Sequence, residues 1–296
     1  MKGNDKVAVG AKKIFPQVGP VFNCYIFIHL TFQIITAFVL PFRLAFLPEI
    51  EYWTYVYLDF VTDFVFLCVM IIRFNTPIYE ESRIVFDRKR IAKKYLKFWF
   101  WIDFYCLIPL YYFRMKSMSR PRSPDNVHNF LTLNFKSLPR FYPMLVIVRM
   151  TRIRGIQENF HIVLKWTNYK VPVQNIIISM FWVFFIMHIC GCFLMAGAYF
   201  NLYTPERWTR SVSLIDAPAF EQFVCAIYWS CVTVSTVGYG DITQTNPFEL
   251  LFVFFIMIFG VGFFVTKDGE LSTNFSEMTQ SSKAQQDRIN QVHDLD

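Results

Sequence analysis

Charge is scarce in this sequence. Only 17% of its 296 residues are charged, and 54% are hydrophobic. A soluble domain carries about 25% charge and about 45–50% apolar residues. A soluble core is therefore excluded. A disulfide framework is missing as well. All seven cysteines (Cys24, Cys68, Cys106, Cys190, Cys192, Cys225, Cys231) fall in apolar runs, whereas disulfides staple the loops of secreted domains. Such thiols pack as small hydrophobes, and the pair Cys190 and Cys192 lacks the further ligands a metal needs. The first residues, MKGNDKVAVGAKK, lack the apolar core of a secretory leader. No nucleophile–base pair or phosphate loop is visible, so an enzyme is not expected.

What the chain has is long charge-free stretches, at 14–42, 171–199 and 250–266. About 20 apolar residues cross a bilayer. The expected fold is an all-α integral membrane protein with six transmembrane helices, a re-entrant pore helix and a selectivity filter. The expected spans are Val21–Leu40, Tyr52–Phe74, Phe98–Phe113, Ser137–Arg154, Pro172–Phe200 and Pro247–Val265. Pro41 is expected to end the first, because proline cannot continue the helical hydrogen bonding. Pro218–Val232 is too short to cross and forms the re-entrant helix. His29 and His188 lie in spans and read as packed residues.

The net charge of +7 is no nucleic-acid signal, because the basic residues flank apolar spans. Lys and Arg mark cytoplasmic loops. Arg83, Arg88, Lys89, Arg90, Lys93, Lys94 and Lys97 place the loop between the second and third spans inside. The N-terminal lysines and Lys165 and Lys170 agree; Arg114, Lys116, Arg120 and Arg122 do not.

The string TVSTVGYGDI occupies 233–242. Non-helical backbone is tolerated at membrane depth only when protein buries it or it lines a watery cavity. Glycine permits backbone angles that other residues resist. Alternating such residues lets successive carbonyls point one way, and four copies can then replace the hydration shell of K⁺. Thr236, Val237, Gly238, Tyr239 and Gly240 form the expected filter, with K⁺ held by the carbonyls of the first four. Thr233 and Trp229 support it, and Asp241 attracts cations at the outer mouth. One chain supplies one filter loop, so a homotetramer in the lipid bilayer is expected. Gly260 and Gly262 on the last span read either as hinges of a gate or as close-packing positions.

The segments PFRLAF (41–46), DFVFLCVMIIRFNT (63–76), IAKKYLKFWFWIDFYCLIP (91–109), MHICGC (187–192), IYWSCVTVSTVGYGDI (227–242) and GVGFFVTKDGELST (260–273) carry a family resemblance. The chain resembles the six-span K⁺ channels of the cyclic-nucleotide-gated, hyperpolarisation-activated and ether-à-go-go superfamily. The resemblance runs from about Ile14 to about Thr273. It implies a voltage-sensor-like domain followed by a pore domain. The expected division is a cytoplasmic segment 1–20, sensor-like domain 21–155, linker 156–170, pore domain 171–266 and tail 267–296. The resemblance also implies a cyclic-nucleotide-binding β-roll after the sixth span. The residues beyond Lys267 are too few for one, since an ordinary domain needs about a hundred. Neither cyclic nucleotide nor any organic cofactor is expected as a ligand.

A voltage sensor needs cations at spacing three on one helical face. Each charge moved through 100 mV is worth about 2.3 kcal/mol. Lys136, Arg140, Arg149, Arg152 and Arg154 are available, but only Arg149 and Arg152 keep the spacing. Pro139 and Pro143 interrupt the rest. The resemblance pairs Asp63 and Asp103 with these cations. It expects a second acid where Val69 stands, and a polar neutral residue where Arg73 stands. Arg73 is expected to reach the inner interface or pair nearby.

Two functions follow. The first is a weakly voltage-sensitive, K⁺-selective channel in the plasma membrane. The second is a non-conducting, channel-like subunit acting as scaffold among unrelated subunits of a larger complex, for instance in the mitochondrial inner membrane.

Overall fold

The computed structural model describes residues 19–46, 52–80, 83–108, 147–200, 208–214 and 217–293. Its elements are α1 (Pro20–Phe46), α2 (Tyr52–Arg73), β1 (Ile78–Glu80), β2 (Arg83–Val85), α3 (Arg88–Lys97), α4 (Trp99–Cys106), a 3-10 helix (Val148–Ile153), α5 (Ile156–Lys165), α6 (Val171–Phe200), α7 (Trp208–Ser211), α8 (Ala219–Val234) and α9 (Pro247–His293). The two strands form one short antiparallel hairpin, with Tyr79 opposite Ile84. Among the described residues the other regular elements are helical, as an all-α membrane protein requires.

Among the described residues, α1, α6 and α9 are long and apolar enough to cross a membrane. The 22 residues of α2 reach about 33 Å, enough to cross by length. Its Asp59, Asp63 and Arg73 make it more polar than α1 and α6. Residues 109–146, with Lys136, Arg140 and both sensor-region prolines, and the first 18 residues lie outside the described residues.

One boundary differs from expectation, and two expected segments prove helical. Helix α1 does not stop at Pro41 but continues to Phe46. Proline inside a membrane helix is tolerated because local adjustment re-satisfies the freed backbone groups. The stretch 156–170, expected as the linker, carries α5 over its first ten residues. The tail expected at 267–296 continues the helix of the last span, since α9 runs 47 residues. Beyond Val265 its sequence is polar but poor in helix breakers, with Gly269 alone and no proline before His293.

The chain separates into two compact units, Met1–Leu40 with Glu49–Asn159, and Pro41–Pro48 with Phe160–Asp296. In the second, α6 packs against both α8 and α9. Their core includes Cys190, Leu194, Met195, Trp229, Val234, Val253 and Ile256. The last turn of α1 joins this core through Phe42 and Phe46, whose rings meet Phe223 edge-on at 5.0 and 5.4 Å. Gly260 lets α9 approach α8 closely. A Cβ there would stand 3.1 Å from Val234 Cγ2, while one at Gly262 would meet nothing within 4 Å.

Candidate ion filter and charge cluster

In the second unit, α8 begins after Pro218 and ends at Val234, with Ser235 closing its last turn through bonds to Cys231 and Thr233. Trp229 is buried, and Ser230 ties the helix to α6 by donating to the Met187 carbonyl at 2.7 Å. The chain then leaves helical geometry. Thr236, Gly238 and Gly240 have φ of +63°, +62° and +73°. Three of the seven described residues with positive φ thus fall within five positions, alternating with Val237 and Tyr239. For β-branched Thr236 that conformation costs about 1–2 kcal/mol. Three N–H groups point back at the helix end. Thr236 donates to the Thr233 carbonyl at 3.1 Å, and Val237 and Gly238 both donate to the Val232 carbonyl, at 3.0 and 3.1 Å.

A Cβ at Gly238 or Gly240 would meet nothing within 4 Å. Glycine is needed there for its backbone angle, not for space. Residues 236–241 are all exposed on the single chain, Tyr239 at 72%. Asp241 accepts a hydrogen bond from the Tyr228 hydroxyl at 2.7 Å, which fixes the carboxylate beside the string.

The first unit holds a cluster of charges. Arg149 and Arg152 lie in the 3-10 helix, not in the α-helical span expected for 137–154. With three residues per turn, positions i and i+3 eclipse. The two guanidiniums therefore share one face, and both reach Asp63. Arg152 bonds Asp63 Oδ1 at 2.7 Å and Arg149 bonds Oδ2 at 3.3 Å. Backbone carbonyls add one bond to each, Cys106 for Arg152 at 2.5 Å and Ile108 for Arg149 at 2.8 Å. Asp59 adds a longer contact to Arg149, at 3.9 Å.

Asp103 is organised differently. Its carboxylate receives Arg73 and the Tyr95 hydroxyl, each at 2.5 Å. Arg154 stands farther away, at 3.7 Å, with its guanidinium over the Trp99 ring. Arg73 therefore pairs within the protein, on an acid the resemblance assigns to the sensor cations. Burial first, and then the bond to Asp103, raise the Tyr95 phenol above its usual pKa. It stays a protonated donor at physiological pH.

Three polar residues secure the 3-10 segment by its backbone. Gln33 Nε2 donates to the carbonyls of Arg152 and Arg154 at 2.9 and 3.0 Å. Asn159 donates to Gln33 Oε1 at 2.7 Å and lies 3.1 Å from His29 Nδ1. Sequence reasoning read His29 as packed but missed Gln33, Asn159 and Tyr95. A glutamine within an apolar span was the available signal; nothing marked Tyr95.

Residues 19–283 match the sequence model of the family described as Ion transport protein. The chain is similar to the potassium channel AKT2/3 of Arabidopsis thaliana, 25% identical over 255 residues, covering 81% of this chain and 29% of the relative. It is also similar to the potassium channel KAT1 of Arabidopsis thaliana, 24% identical, covering 94% and 39%. A third relative is the voltage-gated delayed rectifier potassium channel KCNH5 of Homo sapiens, 23% identical, covering 92% and 28%. The chain thus spans 28–39% of the length of these three relatives.

Proposed function

This chain belongs to the ion transport protein family, and from that premise we propose that it forms a potassium-selective channel. It is an integral membrane protein of a channel family, not an enzyme. The observation that carries the reading is the alternation of left-handed backbone at Thr236, Gly238 and Gly240, directly after a pore-helix-like element. Reversing the sign of φ at every second residue turns successive peptide planes so that their carbonyls line one side. The carbonyls of Thr236, Val237, Gly238 and Tyr239 then replace the hydration shell of K⁺. Gly240 lets the chain turn away, Thr233 and Trp229 hold the base of the string, and Asp241 gathers cations at the mouth.

A single string cannot surround an ion, so the working unit is a homotetramer in the bilayer. The exposure of Val237 at 54% and Tyr239 at 72% supports this, because neighbouring copies would cover these side chains. Voltage sensitivity is weak in this reading. Arg149 and Arg152 share Asp63, and Arg73 competes for Asp103. Among the described residues that leaves two close-set cations plus Arg154, at the lower edge of the about three to four charges per subunit for steep gating. The plasma membrane is the location the family resemblance implies. No observation favours the scaffold reading.

The test is ion flux in liposomes containing the purified chain. K⁺ should pass and Na⁺ should not, and Gly238→Asp should abolish the flux while particle mass stays that of four chains. A folded tetramer without K⁺ flux at any voltage would overturn the reading.

A further inference from the structure

Helix α3 has the sequence RKRIAKKYLK. Its Ile91 and Tyr95 are buried, at 1% and 9% exposure. Tyr95 is held three ways, by its bond to Asp103 and by edge-on contacts with Phe74 at 4.9 Å and Phe100 at 6.0 Å. One face of α3 is therefore fastened to the residues around Asp103, and the helix cannot rotate freely. At 100° per residue, Lys89, Arg90, Lys93, Lys94 and Lys97 then fall in one arc of about 140° on the opposite side. All five are exposed, and Arg90 makes only a long contact of 3.9 Å with Asp87. Lys89, Lys93 and Lys97 form a single row with a spacing of four.

No linker separates this helix from the next. Phe98 is both the C-cap of α3 and the N-cap of α4. The first turns of α4 expose Trp99 and Trp101, at 41% and 63%, beside Phe98 at 58%. Exposed tryptophans belong at the headgroup level of a bilayer. Lys97 and Trp99 are two residues apart, so the basic row meets the membrane at that depth. A charge count alone would orient the chain whichever way the cations pointed. Here the buried pair sorts them onto one face.

The geometry points to a surface on α3 that binds anionic phospholipid headgroups. Lys89, Lys93 and Lys97 contact the phosphates, and Trp99 and Trp101 seat the helix among the headgroups. Clustered cations beside a membrane span attract acidic lipid in this way, over a range set by ionic screening. The proposal does not rest on the filter reading, because it needs only a membrane-embedded chain.

The test uses the purified full chain in detergent, offered an equimolar mixture of phosphatidylserine and phosphatidylcholine, with bound lipids counted by native mass spectrometry. Phosphatidylserine should exceed phosphatidylcholine by about threefold or more, and the excess should shrink as salt rises. The triple variant Lys89→Gln, Lys93→Gln, Lys97→Gln should bind both lipids equally. The same three positions changed to arginine should keep the preference, as should Lys283→Gln with Arg288→Gln on the far part of α9. Equal binding of both lipids by the unaltered chain would overturn the proposal. So would an unchanged preference in the glutamine triple, an equal loss in the Lys283 and Arg288 variant, or full displacement by soluble glycerophosphoserine. If the glutamine triple fails to fold, the salt dependence and the arginine triple still decide.

Discussion

Arg73 and Asp103, thirty residues apart in sequence, are joined at 2.5 Å with only 23% and 15% of their side chains exposed. Each would be costly to bury alone, so their proximity explains how α2 tolerates a cation in its last turn. The pair also ties up a carboxylate that Arg154 otherwise approaches only to 3.7 Å.

Breaking that pair from the cation side should alter gating. Arg73→Gln frees Asp103 to attract Arg154 while Tyr95 still donates to it. We expect a steeper conductance–voltage relation in reconstituted bilayers. An unchanged slope in a variant of normal abundance would remove Arg73 from any role in gating. Breaking the pair from the acid side should chiefly cost stability. Asp103→Asn leaves Arg73 half-buried without its anion, and should lower the thermal midpoint by the equivalent of about 3 kcal/mol.

The Gln33 bridge predicts a second loss. Gln33→Leu leaves the Arg152 and Arg154 carbonyls without their donor and strips an acceptor from Asn159. The expected destabilisation is about 1–3 kcal/mol in thermal unfolding. Asn159→Leu should cost less once Gln33 is already leucine, because the two act as one network. Strict additivity would show that they do not.

Gly260 and Gly262 should separate cleanly. Gly260→Ala places a methyl 3.1 Å from Val234 Cγ2. Overpacking of this kind costs about 1–3 kcal/mol. Gly262→Ala meets no neighbour in the single chain, and should gain about 0.8–1 kcal/mol of helix propensity. Thermal unfolding of both variants reads the difference. If Gly262→Ala abolishes flux while raising the midpoint, bending at that residue is part of opening.

The candidate filter string makes its own demand on backbone angle. Gly240→Ala has open space around its new methyl but must hold φ near +73°. The strain is about 1–2 kcal/mol in each subunit. We expect the Na⁺-to-K⁺ flux ratio to rise while tetramer mass is unchanged. A ratio identical to that of the unaltered chain would refute the backbone argument.

Much of the fold could be read in advance because it rests on apolar run length. The ends of α2 and α6, and the short α8, follow from composition and Pro218. Helix α1 was misjudged because a proline rule drawn from water was applied inside a membrane. Polarity marked the end of the last span near Val265 but gave no sign that the helix continues to His293. In the candidate filter, glycine spacing announced the positive φ at 238 and 240, whereas Thr236 carries the same angle without a sequence sign. The charge cluster was half visible. Spacing three brought Arg149 and Arg152 to one face, and the 3-10 geometry then gave both to Asp63. The partner of Arg73 was not visible, because it depends on how α2 and α4 meet.

Helix α9 has a mechanical consequence. Its 47 residues extend about 70 Å, more than twice the roughly 30 Å of a bilayer's hydrocarbon core. It is one helix from Pro247, just after the candidate filter string, to His293. Measured from Gly262, the remaining 31 residues form an arm of about 46 Å. A tilt of about ten degrees at Gly262 would sweep its end through about 8 Å. A sideways force on that end would therefore exert at Gly262 a torque that grows with the length of the arm.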